Sequence, residues 1–355
     1  MNLNHASTCP KEDLDHIMAH TEGLWEELRG ESIFITGGTG FFGRWLLESF
    51  AEANRRYGLG ARIVALSRDP EAFRRKAPHL ASDPAIRLHA GDVCSFEFPG
   101  GTFSHVIHAA TESATHLNEE SPLRMLEVAV DGTRRALQFA VQGGARNFLL
   151  TSSGAVYGKQ PPEMTHMPET FSGAPDLMSP ASAYAEGKRV AELLCALYHR
   201  EYGLNAKIAR GFAFVGPHLP LDAHFAIGNF VRDALAGNTL KITGDGTPQR
   251  SYLYAADLAV WLWTILLRGQ SCHPYNVGSE DAISISGLAE AVCSALNPQA
   301  KVVTACTPQR DCPAQRYVPS TKRATTELGL RPTIGLAQSL QRTAAWHARA
   351  ACDKP

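Results

Sequence analysis

Two residues in this 355-residue chain have the types and spacing of a proton-transfer pair: Tyr184 and Lys188, four apart in YAEGK at the start of a helical pattern. Positions i and i+4 share a helix face, so the Lys188 ammonium is expected beside the Tyr184 phenol, where it favours the phenolate electrostatically. Such a shift would turn a group whose ordinary pKa is near about 10 into a base usable near neutrality. Ser153, at the end of the apolar run FLLTSS, offers a hydroxyl on a strand end.

A second constellation binds rather than reacts. Thr36-Gly37-Gly38-Thr39-Gly40-Phe41-Phe42-Gly43 stands between a β-branched run and an apolar helical pattern. In that setting Gly37 permits a tight turn, Gly40 lets backbone approach a pyrophosphate at the helix N-terminus, and Gly43 lets helix pack on strand. The ligand implied is a dinucleotide. The end of the second strand normally selects which one, because an acid there bonds the adenosine ribose and repels a 2′-phosphate. Here Ser67 stands in the acid's place and Arg68 follows, which favours NADP; Asp69, slightly late, keeps NAD as the alternative.

These residues need a frame. Strand-like runs at 32–36, 62–67, 86–89, 104–109, 146–151 and 206–210 alternate with helical patterns at 42–57, 121–142 and 183–202. Strands alternating with helices imply right-handed crossovers and a parallel sheet. The expected class is α/β, a doubly wound parallel sheet with a smaller C-terminal lobe, since 217–320 is punctuated by Pro and Gly. The divisions read as an N-terminal helical extension (1–30, with one helix over 12–29), a dinucleotide-binding region (31–210) and a mainly substrate-binding lobe (211–350) from which the chain can cross back to the sheet.

Composition narrows the partners. The formal net charge is −1, with Lys and Arg scattered, so no extended field favours nucleic acid or an anionic membrane. The eight cysteines show no C-x-x-C pair and no zinc-like spacing, so they read as reduced thiols and no metal is expected. The N-terminus lacks a signal-peptide pattern and no run is long enough to span a bilayer, which gives a cytoplasmic expectation.

Taken with Ser153, Tyr184 and Lys188, residues 32–346 resemble the extended short-chain dehydrogenase/reductase family, which includes NAD(P)-dependent nucleotide-sugar epimerases, dehydratases and decarboxylases. T-G-x-x-G-x-x-G matches 36–43, Gly91-Asp92-Val93 is similar to the adenine-contacting turn, and His108-Ala109-Ala110 to the strand end under the cofactor. The resemblance implies a Rossmann-type sheet, a nucleotide-diphosphate sugar as substrate, and a triad in which Tyr184 moves the proton, Ser153 holds the reacting oxygen and Lys188 also binds the nicotinamide ribose. It places Thr39, Phe41, Phe42, Asp92, Val93, Ala109 and Ala110 at the cofactor. Glu112, Ser113, Asn229, Arg250 and Arg316 fall at the substrate. In GDGTPQRSYLYAADLA, Arg250 matches a phosphate-holding arginine, and Arg316 in RYVPS a second diphosphate contact.

The departures shape the reaction. Dehydratases of this family carry acids just after the active-site Ser or Thr; Gly154 and Ala155 stand there in this chain and cannot move a proton. Uronate decarboxylases carry a Glu at the Ala155 position and an Arg after the Gly-Pro turn, here Gly216-Pro217-His218. Ala213 replaces an Asn that contacts substrate in many relatives. Reversible hydride transfer at a carbinol still has all its parts, so a 4-epimerase is the expectation. An NADPH-dependent 4-keto-sugar reductase is the alternative, followed by a dehydratase or decarboxylase with a displaced acid or base, for which Glu112 is a candidate. A regulator or scaffold that binds NADP without catalysis is the non-enzyme alternative. A second apolar stripe on the 121–142 and 183–202 helices (Leu126, Val130, Leu137, Leu193, Leu197, Tyr198) matches the family's four-helix dimer interface and leads to a homodimer.

Overall fold

The structure, a computed structural model, describes residues 8–111, 121–222, 225–307 and 313–352. Its centre is a seven-stranded sheet in which every pairing is parallel. The strands are β1 (Ser32–Thr36), β2 (Arg62–Ser67), β3 (Ile86–Ala90), β4 (His105–His108), β5 (Asn147–Ser153), β6 (Asn205–Gly211) and a late seventh, Tyr275–Val277. That last strand lies at one edge beside β6, so the sheet runs seventh, β6, β5, β4, β1, β2, β3. The chain therefore leaves the sheet after β6 and returns to it before ending.

The alternation of a strand sorts the core into two layers. Ile33, Ile35, Ile63, Ala65, Ile107 and Leu149 face one side, packing with Trp45, Phe50, Trp261 and Trp263. Phe34, Val64, Leu66, Val106, Phe148 and Leu150 face the other, packing with Leu137, Phe139, Ala191 and Cys195. The crossover helices carry these layers. α1 (Lys11–His20) precedes the sheet, α2 (Phe41–Tyr57) follows β1, and α3 (Pro70–Lys76) with α4 (Pro78–Ala81) joins β2 to β3. α5 (Pro122–Gln142) precedes β5, α6 (Ala183–Tyr202) precedes β6, and both cover the second face.

The C-terminal segment adds short strands around five helices among the described residues. β7 (Phe214–Val215) pairs with a strand at Leu253–Tyr254, and Leu240–Ile242 pairs with Val302–Thr304. Gln249–Arg250 is sandwiched between Ile283–Ser284 and Arg316–Tyr317. The helix Ala255–Arg268 is buried from Ala255 to Leu266 and lies under the sheet.

Most expected elements form within a residue or two of their sequence limits. The leading helix does not: it stops at His20, and Trp25–Leu28 is a separate 3-10 turn. The apolar periodicity continues through 21–24, but Gly23 at φ 80° turns the chain. Thr21 Oγ1 donates to Ile17 O and accepts from Trp25 Nε1, closing the bend. The extension is anchored: Trp25 packs on Trp263 at 5.0 Å, and the buried Asp13 carboxylate accepts from Tyr254 Oη and pairs with Arg342.

The expected second stripe is partly exposed. Leu193 (58%) and Leu197 (40%) face solvent, and Leu126, Val130 and Tyr198 are half-buried. Leu137 does not belong to it; it is fully buried in the layer between α5 and the sheet.

Candidate active site

A cavity of about 800 Å³ opens where β1, β4 and β5 end. From the sequence reading it is lined by Gly37, Thr39, Gly40, Phe41, Phe42, Ser67, Arg68, Asp92, Val93, Ala109, Ala110, Ser153, Tyr184, Lys188 and Arg250. Gly43, Asn229 and Arg316 are not among its lining residues. Gly43 lies beneath: a Cβ there would sit 2.2 Å from Gly37 O, so the helix packs directly on the turn. Asn229 accepts from Arg232, and Arg316 stands on the strand that pairs with Gln249–Arg250. Glu112 and Ser113 lie outside the described residues.

The glycine turn has the geometry a pyrophosphate cradle requires. Gly37 takes φ 71°, and a Cβ on it would come within 2.4 Å of the Ala109 carbonyl carbon. Side chains at 37 are excluded by both conformation and space. α2 then starts at Phe41 with its first N–H groups toward the cavity end of the sheet, the arrangement that binds anions. The residues present fit a dinucleotide.

Beneath the turn, His108 fixes the register of β1 and β4. Ala110 N–H donates to Thr36 Oγ1, and Thr36 Oγ1 lies 2.7 Å from His108 Nδ1. Thr133 Oγ1 already donates to Ala129 O, so it accepts from His108 Nε2 at 3.0 Å. Donor and acceptor counting then puts the ring proton on Nε2. Burial holds this imidazole down to about 3, so it is neutral. Its role is structural.

At the adenosine end Ser67 is buried at the tip of β2 and Arg68 lines the cavity. Asp69 is otherwise engaged: its carboxylate caps α3 by accepting from Ala72 N–H at 2.8 Å.

At the reacting end Ser153 terminates β5, and its Oγ accepts from Ala155 N–H at 3.2 Å. It also hydrogen-bonds the Tyr184 phenol. Lys188 Nζ donates to Thr151 O at 2.9 Å and stands 5.9 Å from the Tyr184 ring centroid. Burial pushes Lys188 down to about 8. The expected lowering of the phenol by Lys188 is not found. Burial raises the Tyr184 pKa and only the Ser153 hydrogen bond pulls it down. The ammonium is committed to the Thr151 carbonyl, and desolvation of the phenolate outweighs what remains.

The opposite wall was not read from the sequence. Phe212, Phe214, Leu219, Tyr252 and Tyr317 line it. Phe212 packs against Tyr317 with ring centroids 4.6 Å apart and planes tilted by 35°, and the Arg250 guanidinium lies 5.9 Å from the same ring. A Cβ at Gly154 would meet the Phe212 ring at 2.7 Å, so the missing acid at 154 and the aromatic wall are one feature. Tyr317 adjoins Arg316 in the motif RYVPS, which was the available signal.

Comparison with known proteins agrees with this fold. Residues 33–278 match the sequence pattern of the NAD dependent epimerase/dehydratase family. The chain is 30% identical over 309 residues to UDP-glucuronic acid decarboxylase 3 of Arabidopsis thaliana, covering 87% of this chain and 86% of that one. Among solved structures it is similar to dTDP-glucose 4,6-dehydratase of Streptomyces venezuelae, determined with NAD bound: 26% identity, TM-score 0.75, covering 89% and 97% of the two chains. An epimerase of Methanothermobacter thermautotrophicus shares the fold at TM-score 0.76 and 24% identity, covering 94% and 95%.

Proposed function

The chain belongs to the NAD dependent epimerase/dehydratase family, and from that premise we propose that it is a nucleotide-sugar 4-epimerase. The observation that carries the reading is the meeting of Ser153, Tyr184 and Lys188 with the glycine turn and Arg250 in one cavity, while at the adjoining Gly154 an added Cβ would meet the Phe212 ring at 2.7 Å.

Each residue then has a task. Tyr184 takes the proton of the sugar C4 hydroxyl and returns it after the 4-keto sugar has turned over. Ser153 donates to the C4 oxygen in both directions. Lys188 would hold the nicotinamide ribose, the glycine turn and α2 the pyrophosphate, and Arg250 the diphosphate of the sugar nucleotide. When bound, the nicotinamide would supply the hydride acceptor and donor at C4. Gly154 and Ala155 leave C5 without a proton carrier at that point, which disfavours elimination of water. Phe212, Phe214 and Leu219 in the wall give a turning 4-keto sugar an apolar surface.

We assign NADP as the preferred dinucleotide, because Ser67 carries no charge, Arg68 is a cation and Asp69 is spent on the helix cap. The partly exposed stripe on α5 and α6 supports a homodimer, tested by mass in solution. Among the described residues six cysteines are free thiols and no helix is long and apolar enough to cross a membrane; the thiols suit a reducing, cytoplasmic compartment.

A second reading, decarboxylation of a UDP-uronate, is favoured by the similarity to UDP-glucuronic acid decarboxylases. Once C4 is a ketone, the β-keto acid loses carbon dioxide without a protein base, so the residues at 154 and 155 do not forbid it. The experiment incubates the protein with a panel of nucleotide hexoses, uronates and 4-keto-6-deoxy sugars and records product masses and nicotinamide absorbance. An isobaric product without exchange of cofactor supports the epimerase. Loss of 44 mass units (CO2), as decarboxylation requires, establishes the second reading, and consumption of NADPH makes it a reductase.

A further inference from the structure

Behind the loop that follows the Gly216-Pro217 turn, three side chains from distant parts of the chain converge. Cys9 comes from the segment before α1, Glu48 from the middle of α2, and His218 from the loop itself; one ligand atom of each lies within 4.8 Å of the others. Cys9 Sγ is 3.5 Å from His218 Nε2. That separation is close to the edge of a tetrahedron built on a metal–sulfur bond of about 2.3 Å and a metal–nitrogen bond of about 2.05 Å. None of the three lines the active-site cavity. We propose that Cys9 Sγ, His218 Nε2 and a Glu48 carboxylate oxygen bind one divalent transition ion of the zinc class.

The surroundings are those of a held ligand set rather than of loose polar groups. Cys9 and Glu48 are buried at 3% and 4% exposure. Glu48 Oε1 lies 2.8 Å from His79 Nε2, so His79 orients the carboxylate in the way that outer partners steer metal ligands. His218 takes φ 70°, a left-handed setting uncommon for a non-glycine residue, and its Nε2 faces Cys9 Sγ. The loop is pinned on either side: Trp45 Nε1 donates to Pro217 O at 3.0 Å, and Trp346 packs against the His218 ring at 4.5 Å. Beside Trp346, His347 Nε2 is buried with no hydrogen-bond partner among the described residues.

Charge and protons balance. Arg44 Nε already sits 3.3 Å from Glu48 Oε1, on the same oxygen as His79. Without an ion, Glu48 and Arg44 neutralise each other, and Cys9, whose ordinary thiol pKa is near about 8.5, carries its proton near neutrality. A dication binds neutral His218, the Glu48 carboxylate and the Cys9 thiolate, and the displaced thiol proton passes to solvent. The Arg44 charge remains, 5.5 Å from the Phe73 ring, and a water completes the tetrahedron. The site would tie the N-terminal segment to α2 and to the loop that carries Leu219 and Pro220 to the cavity wall.

The test uses untagged, full-length protein dialysed against metal-free buffer after growth with zinc. One zinc per chain by elemental mass spectrometry is expected, falling to background in Cys9→Ala and His218→Gln. Chelated wild-type protein titrated with cobalt(II) should develop a thiolate-to-cobalt band and release one proton per ion. If either variant fails to fold, the wild-type cobalt spectrum decides alone. Wild-type protein holding no more metal than the variants, or cobalt binding without a thiolate band, overturns the proposal and leaves a Cys–His hydrogen bond beside an Arg–Glu pair.

Discussion

Ser153 Oγ stands 3.5 Å from the hydroxyl of Tyr317, so the serine that bonds the Tyr184 phenol has a second phenol on its other side. Burial raises the Tyr317 pKa, so this group stays protonated and acts only as a donor or neutral acceptor. Tyr317→Phe keeps the packing against Phe212 and removes only the hydroxyl. The expected loss is one hydrogen bond, about 1 kcal/mol or roughly fivefold in kcat, with little change in KM. Steady-state kinetics at saturating sugar nucleotide would check it; an unchanged kcat would reduce Tyr317 to part of the wall.

Lys188 gives a stability signature separate from catalysis. Its folded pKa is about 8, below the ordinary lysine value near about 10.4. Between those values the unfolded chain holds the proton and the folded chain does not, so stability from this residue rises with pH across the window and is flat below about pH 8. Lys188→Met removes that slope. Urea midpoints from about pH 7 to about pH 10.5 should show wild type gaining roughly 3 kcal/mol on the variant. Parallel curves would contradict the burial of a neutralised lysine.

Gly154→Asp tests whether the missing acid is merely absent or sterically excluded. The new Cβ meets the Phe212 ring at 2.7 Å, so a destabilisation of about 1–3 kcal/mol is expected, without gain of water elimination. A stable variant that dehydrates a nucleotide hexose would show that the aromatic wall yields.

What was legible in the chain was what is local. The glycine turn and the strand–helix alternation announce themselves because a turn and its flanking periodicity lie within about twenty residues. The pairing of Tyr184 with Ser153 came from the family resemblance rather than from spacing, since thirty-one residues separate them, and both line one cavity. The aromatic wall did not, because Phe212, Tyr252 and Tyr317 come from three separated segments and meet only when the last residues return to the cavity. The break at Thr21 was hidden by an apolar pattern that continues across a turn. The Lys188 effect on Tyr184 was misread because spacing places a side chain on a face but does not reveal the Thr151 carbonyl that takes its ammonium.

Arg68→Ala addresses the dinucleotide. If the guanidinium meets a 2′-phosphate, NADP affinity falls by about tenfold or more while NAD affinity is nearly unchanged. Fluorescence titration with both dinucleotides measures this. Equal losses for the two would assign Arg68 to the adenine or the shared ribose instead.

The most direct test of C4 chemistry follows a nucleotide hexose carrying deuterium at C4 by proton NMR, with wild-type protein and with Tyr184→Phe. Inversion at C4 with the label still on C4 is expected for wild type, because the hydrogen leaves and returns on the same bound dinucleotide. In the variant the rate should fall by about 10²–10⁴-fold with dinucleotide binding intact. Wild-type turnover with C4 configuration and label untouched, or a variant as fast as wild type, would contradict the assignment.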